Sequence, residues 1–173
     1  MTITALALSL LFPPAAWPQA AKTEIPGATK VTRVDAAVVC GGATTPEAYG
    51  ALRSEGFAAT INLREFSEDG AEIEAHREAA AAAGLRFIHL PFHRDALGPE
   101  IIERFLFEVT DPDNQPVFIH CGTASRVGAL WFLKRRLADG WTEERAMAEA
   151  EAIGLSYAPL REFVASYARS RVK

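Results

Sequence analysis

Cys121 and Arg126, separated only by Gly122-Thr123-Ala124-Ser125, are the two side chains whose types and spacing carry chemistry in this sequence. The thiol ends an apolar run, Val117-Phe118-Ile119-His120, and the arginine opens a second one, Val127 to Leu133. A strand ending at the thiol and a helix beginning at the arginine leave a loop of small residues between them. Its N–H groups can converge on one point, where the helix dipole adds positive potential, so an anion is welcome there. A thiol at the mouth of such a loop becomes a nucleophilic thiolate. Arginine in a first helical turn opposes the dipole by roughly several tenths of a kcal/mol. A guanidinium that grips an oxyanion bidentately accounts for that position. The plainer readings are a small buried cysteine and a surface ion pair.

The elements that must position this pair follow from the apolar pattern and the turn residues. Strands are expected at Ala36–Cys40, Phe57–Leu63, Arg86–Leu90 and Val117–His120. Between them lie helices from Thr45 to Ser54, with Thr45 as N-cap and Pro46 in the first turn, from Ala71 to Ala83 with Gly84 as C-cap, and from Pro99 to Val109. Asp111-Pro112-Asp113-Asn114 is a turn, and the chain after Ser125 is helical in three pieces broken at Gly140 and Gly154. Alternating strands and helices predict a single α/β domain around a mainly parallel sheet of four to five strands. Ligands of such sheets bind beyond the carboxyl ends of the strands. Four loops leave that edge, Cys40–Gly42, Arg64–Glu68, Pro91–Asp95 and Cys121–Arg126, and all four are expected to meet in one pocket. Lys134-Arg135-Arg136 is expected to solvate the far end of the helix that Arg126 opens.

Composition sets the bounds. A chain of 173 residues, 49% hydrophobic, is one domain with a sizeable core. Its net charge of −4 argues against bulk attraction to nucleic acid. Two cysteines, Cys40 and Cys121, are too few for a paired-cysteine zinc site. His76, His89, His93 and His120 lack ligand spacing, so no metal or other cofactor is expected. No apolar run is long enough to span a membrane. The first 21 residues carry no charged side chain and hold an apolar stretch, Ala5–Phe12, ahead of Pro13-Pro14 and a small-residue segment ending at Ala20-Ala21. Residues 1–21 therefore read as a signal peptide, which makes the product periplasmic or secreted; an uncleaved extension on a cytoplasmic protein is the alternative. Residues 28–173 form the expected domain. The sequence does not set an oligomeric state.

His120-Cys121, a short loop and Arg126 at a strand-to-helix turn resemble the signature of cysteine-dependent phosphatases of the tyrosine and dual-specificity type. Upstream, Val39-Cys40-Gly41-Gly42, Thr45-Pro46-Glu47, Gly56-Phe57 and Ile61-Asn62-Leu63-Arg64 look like the opening of the small, atypical dual-specificity group. More narrowly, residues 30–155 are similar to a bacterial set of phosphatase-like domains, some fused to β-lactamase-like hydrolases. The resemblance implies a dual-specificity-phosphatase fold and a metal-independent hydrolase acting on a phosphate monoester of unknown identity. It makes Cys121 the nucleophile of a cysteinyl-phosphate intermediate, with Arg126 and the Gly122, Thr123, Ala124 and Ser125 amides holding the phosphoryl oxygens. It places the general acid in the loop after the third strand, at Asp95 or, in its stead, His93. His120 orients Cys121, and Arg64 either reaches a second phosphate or pairs with Glu65 or Glu68.

Two departures from that signature matter. The loop between Cys121 and Arg126 is one residue shorter than the family carries, and Val127 stands where a hydroxyl residue is usual, with Thr123 or Ser125 as substitutes. The shorter spacing is also found in rhodanese-like sulfurtransferases, in which Cys121 would carry a persulfide. A non-catalytic phosphate-binding module is the third reading. In an oxidising compartment Cys40, at the same sheet edge, could protect Cys121 as a reversible disulfide.

Overall fold

A computed structural model describes residues 20–172. The sheet holds six strands in the order β1 (Ala21–Lys22), β2 (Thr32–Arg33), β3 (Val38–Gly41), β6 (Val117–His120), β4 (Ala59–Asn62) and β5 (Arg86–His89). From β3 across to β5 the pairing is parallel. β1 and β2 extend the β3 edge antiparallel. These two strands are two residues each, too short to show an alternating pattern. They make the sheet one strand wider than expected, and they place Ile25 in the core ahead of the expected start at residue 28.

The central strands β3, β4 and β6 are buried at every position, because helices cover both faces, and this is why they read as unbroken apolar runs. The two-residue period of a strand divides their side chains between the faces. Val39 and Phe118 pack with Tyr49, Leu52 and Ala80 from α1 (Ala48–Ser54) and α2 (Ile73–Ala83). Cys40, Ile61 and Ile119 pack on the other face, with α3 (Pro99–Thr110), α4 (Ser125–Leu137), α5 (Glu143–Ile153) and α6 (Ala158–Arg171).

The helix stops behave as the sequence suggests. Gly84 caps α2 in the left-handed region at φ 72°, and Gly140 and Gly154 separate the last three helices. The helix starts are less regular. Thr45 is not the N-cap of α1: its carbonyl accepts the Ala48 N–H in a preceding turn, and the helix begins at Ala48. Likewise α2 starts at Ile73, after Glu72 in a left-handed conformation. Residues 1–19, which hold nearly all of the signal-peptide segment, lie outside the described residues. Among the described residues, no helix is long and apolar enough to cross a membrane.

Candidate active site

The β6–α4 turn builds the site. Because successive side chains of β6 face opposite ways, His120 falls on the α1/α2 side of the sheet with Phe118, and Cys121 falls on the α4 side with Ile119. After Gly122 and Thr123, Ala124 takes a left-handed conformation (φ 67°) as the residue before α4, which folds the loop over the end of the strand. Gly154, at φ 148°, lies so close that a Cβ there would stand 2.9 Å from the Ala124 Cβ. At Gly128 a Cβ would meet the Ala150 carbonyl oxygen at 2.6 Å. The end of α5 is therefore pressed directly onto the loop and the first turns of α4.

Above the loop opens a pocket of about 490 Å³ lined by residues of several segments. Glu65 and Glu68 come from the loop after β4, His93 and Arg94 from the loop after β5, and Gly122, Thr123, Ser125 and Arg126 from the loop after β6. Three of the four expected loops thus meet. The Cys40–Gly42 loop does not line the pocket; Lys30, packed over Gly42, takes its place. Ser156 and Tyr157, from the α5–α6 connection, complete the wall.

Arg126 is the best-anchored side chain here. Its two Nη atoms donate to the Glu68 carboxylate at 2.6 and 2.7 Å, and Nη1 also donates to the Phe92 carbonyl at 2.9 Å. Burial opposes the guanidinium charge, but Glu68 and the neighbouring Cys121 sulfur outweigh it and hold the arginine pKa above its ordinary value. Burial would likewise push the Glu68 carboxyl up, yet Arg126 and the Glu65 N–H, 2.7 Å away, bring it below the usual carboxylate range. The Arg126 guanidinium is therefore oriented by a carboxylate 58 positions away in sequence. Sequence reading did not assign Glu68 this role, considering it only as a partner for Arg64.

The remaining expected residues are dispersed in informative ways. Cys121 is fully buried, whereas the loop order suggests a thiol at an open mouth; Ala124 is buried as well. Gly122 and Thr123, together with the Arg126–Glu68 pair, form the surface in that region. Ser125 lines the pocket, but its Oγ accepts the N–H groups of Ser156 and Tyr157 at 3.3 and 3.4 Å. Arg64 does not line the pocket. It donates to the Gly70 and Asp69 carbonyls at 2.7 and 2.6 Å and pairs with Glu68 at 3.4 Å, so it organises the loop that carries Glu68.

His120 is also enclosed, and its role is not at the pocket surface. Its Nε2 lies 3.2 Å from the Tyr49 hydroxyl, which in turn lies 2.7 Å from Nδ1 of His76. Burial holds both imidazoles below their ordinary pKa, His120 strongly so, and therefore neutral. Asp95 does not itself line the pocket; it is exposed beside His93, Arg94 and Tyr157, which do, with His93 Nδ1 3.4 Å from its Oδ2 and the Tyr157 hydroxyl donating to its Oδ1. Cys40 and Cys121 are both free thiols. Burial, followed by Glu149, raises the Cys40 thiol well above its ordinary value, as befits a packing residue.

A family described as DSP-PTPase phosphatase fused to NAD+ kinase matches residues 15–154. The chain belongs to this family. No curated protein sequence matches it. Solved structures share the fold of this DSP-PTPase domain at low sequence identity. A DUF442 protein from Shewanella putrefaciens CN-32 superposes with a TM-score of 0.71 at 16% identity, over 85% of this chain and 93% of that one. P. aeruginosa TpbA gives 0.66 at 19%, over 91% of both chains. The core catalytic domain of the PP-IP phosphatase SIW14 from S. cerevisiae gives 0.67 at 16%, over 82% of this chain and 86% of that one.

Proposed function

We propose that this DSP-PTPase domain is a cysteine-dependent phosphatase of the tyrosine and dual-specificity type. Cys121 is its nucleophile, Arg126 and the loop amides form its anion cradle, and Asp95 is its general acid. The observation that carries the reading is Arg126 itself: a buried guanidinium in the first turn of α4, set beside the Cys121 sulfur and aimed by Glu68 and the Phe92 carbonyl. That arrangement stabilises charge on a phosphoryl group in flight.

In the first step the Cys121 thiolate attacks phosphorus. An S–P bond forms as the ester P–O bond breaks, and Asp95 gives its proton to the leaving oxygen. In the second, Asp95 takes a proton from water, the resulting hydroxide attacks phosphorus, and the S–P bond breaks to return the thiolate and release phosphate. Positive charge comes from Arg126 and the loop N–H groups, so the chemistry calls for no metal. Because Cys121 lies beneath the loop surface, entry of the phosphoryl group requires the loop and the Arg126–Glu68 pair to part around it. TpbA has been solved in complex with pTyr, which makes aryl phosphates the first substrates to try. The signal-peptide reading of residues 1–21 makes the enzyme periplasmic or secreted.

The full chain should hydrolyse 4-nitrophenyl phosphate, with all activity lost in Cys121→Ser, and acid quenching during turnover should trap phosphate on Cys121 by mass spectrometry. The short Cys121-to-Arg126 spacing favours one rival, sulfur transfer. Formation of thiocyanate from thiosulfate and cyanide without phosphatase activity would overturn the proposal. Binding of orthovanadate with neither activity would leave a phosphate-binding module.

A further inference from the structure

Tyr157 connects two parts of the site that the reaction must keep in register. It belongs to the short connection between α5 and α6, Gly154-Leu155-Ser156-Tyr157, which is fixed to the anion cradle at two places. Gly154 packs against the backbone of Thr123 and Ala124 with no room for a side chain. Ser125 Oγ, in the cradle loop itself, accepts the N–H groups of Ser156 and Tyr157. From this anchored backbone the Tyr157 ring crosses the pocket wall, and its hydroxyl donates to Oδ1 of Asp95. The Arg94 guanidinium lies over the ring, 4.4 Å from its centroid, which fixes the ring from the acid-loop side.

Asp95 has little else to hold it. Its carboxylate is exposed, Arg94 Nε is 3.9 Å from Oδ2, and His93 Nδ1 is 3.4 Å from the same oxygen. His93 Nδ1 also accepts the Asp95 N–H, which folds the 93–95 turn but leaves the carboxyl free to rotate. The Tyr157 bond is the contact that refers Asp95 to the cradle rather than to its own loop. We propose that Tyr157 is a positioning residue for the general acid, a rigid strut that ties the Asp95 carboxyl to the Ser125 end of the cradle. This deepens the phosphatase reading and rests on it. With Oδ1 held by the phenol, Oδ2 remains to carry the proton given to the leaving oxygen and regained from water.

A misaimed acid costs most where the leaving group most needs a proton. The experiment compares kcat on 4-nitrophenyl phosphate, whose leaving group departs readily as an anion, with kcat on phenyl phosphate, whose leaving group does not. Asp95→Asn calibrates the scale and should slow phenyl phosphate by about 10²-fold or more relative to 4-nitrophenyl phosphate. Tyr157→Phe should lower the phenyl phosphate kcat about tenfold, as expected for one lost orienting hydrogen bond, with 4-nitrophenyl phosphate within about twofold and KM unchanged on both. Arg94→Gln alters only an exposed side chain, so its folding is not at risk, and it should reproduce the selectivity to a smaller degree. If Asp95→Asn discriminates between the substrates while Tyr157→Phe and Arg94→Gln slow both equally or neither, the strut is refuted and the acid assignment stands. If Asp95→Asn itself fails to discriminate, or the wild type hydrolyses neither ester, the acid assignment or the phosphatase reading has failed and the strut falls with it.

Discussion

Two arginines of one helix show how similar contacts serve different ends. Arg126 and Arg135 sit in the first and last turns of α4, both buried and both held by a glutamate from elsewhere in the chain. Arg135 lies where the helix dipole welcomes a cation. Its Nε donates to Glu149 at 2.7 Å, Nη1 donates to Asp139 at 2.9 Å, and its guanidinium stacks on Trp131 and Trp141. Glu149 is itself buried and also accepts the Trp131 indole N–H. The basic triplet was expected to solvate the helix end; its middle member instead ties α4 to α5. Arg126 lies where the dipole repels a cation, and its partner Glu68 sits on a loop with a quarter of its side chain open to water. Arg135 holds the fold together. Arg126 has its charge held beside a pocket.

The largest expected effect falls on the structural pair. Arg135→Ala leaves Glu149 buried without its main partner and should cost about 3–5 kcal/mol in urea unfolding, while kcat per folded molecule is retained. Arg126→Ala should do the reverse, lowering kcat on an aryl phosphate by about 10²–10³-fold with a smaller change in unfolding midpoint. If both variants lose stability and activity in the same proportion, the contrast between the two ends of α4 is void.

Acid sharpens the comparison. Glu68 has a folded pKa depressed below its ordinary 4.5, so the unfolded chain binds its proton first. The pair with Arg126 therefore adds stability above that value and loses it as pH falls through the lowered one. A wild-type minus Glu68→Gln difference in unfolding free energy should be largest near neutrality and vanish at low pH. Burial opposes the Asp139 charge, but Lys134 and Arg135 outweigh it and bring the carboxyl below its ordinary 3.8, so a wild-type minus Asp139→Asn difference should fall in the same direction as pH is lowered. The smallest effect concerns the buried imidazoles. His76 and His120 are held neutral in the fold, so the unfolded chain takes up protons preferentially once pH falls below the ordinary 6.5. The wild-type melting temperature should begin to decline there, and His76→Gln should reduce that early decline.

Much of this frame is legible in the residues. The three central strands β3, β4 and β6 are buried runs because both faces are covered, and the breaks at Gly84, Gly140 and Gly154 follow from backbone freedom. The β6–α4 turn is legible because small residues between a strand and a helix leave few alternatives. What escapes is what depends on distant chain. Glu68 lies among several acidic residues of its loop, and nothing local singles it out as the partner of Arg126. Tyr157 sits in a short connector with no periodicity, and Lys30 reaches the pocket because two-residue strands that no pattern announces carry it there. That His120 and Cys121 face opposite sides of the sheet follows from strand geometry alone. The full burial of Cys121 depends on how closely α5 presses on the loop, which only packing decides.

In the cradle proposed above, the carboxylate that Glu68 lends to Arg126 already neutralises the guanidinium from within. A singly charged ion such as chloride or acetate that competed for the guanidinium would trade one negative charge for another and gain little. A phosphoryl dianion brings a surplus charge as well as more acceptor oxygens for the surrounding N–H groups. On the proposed phosphatase reading, discrimination among the anions of the surrounding medium is thus built into the pairing of Arg126 with Glu68, before any substrate touches the sulfur.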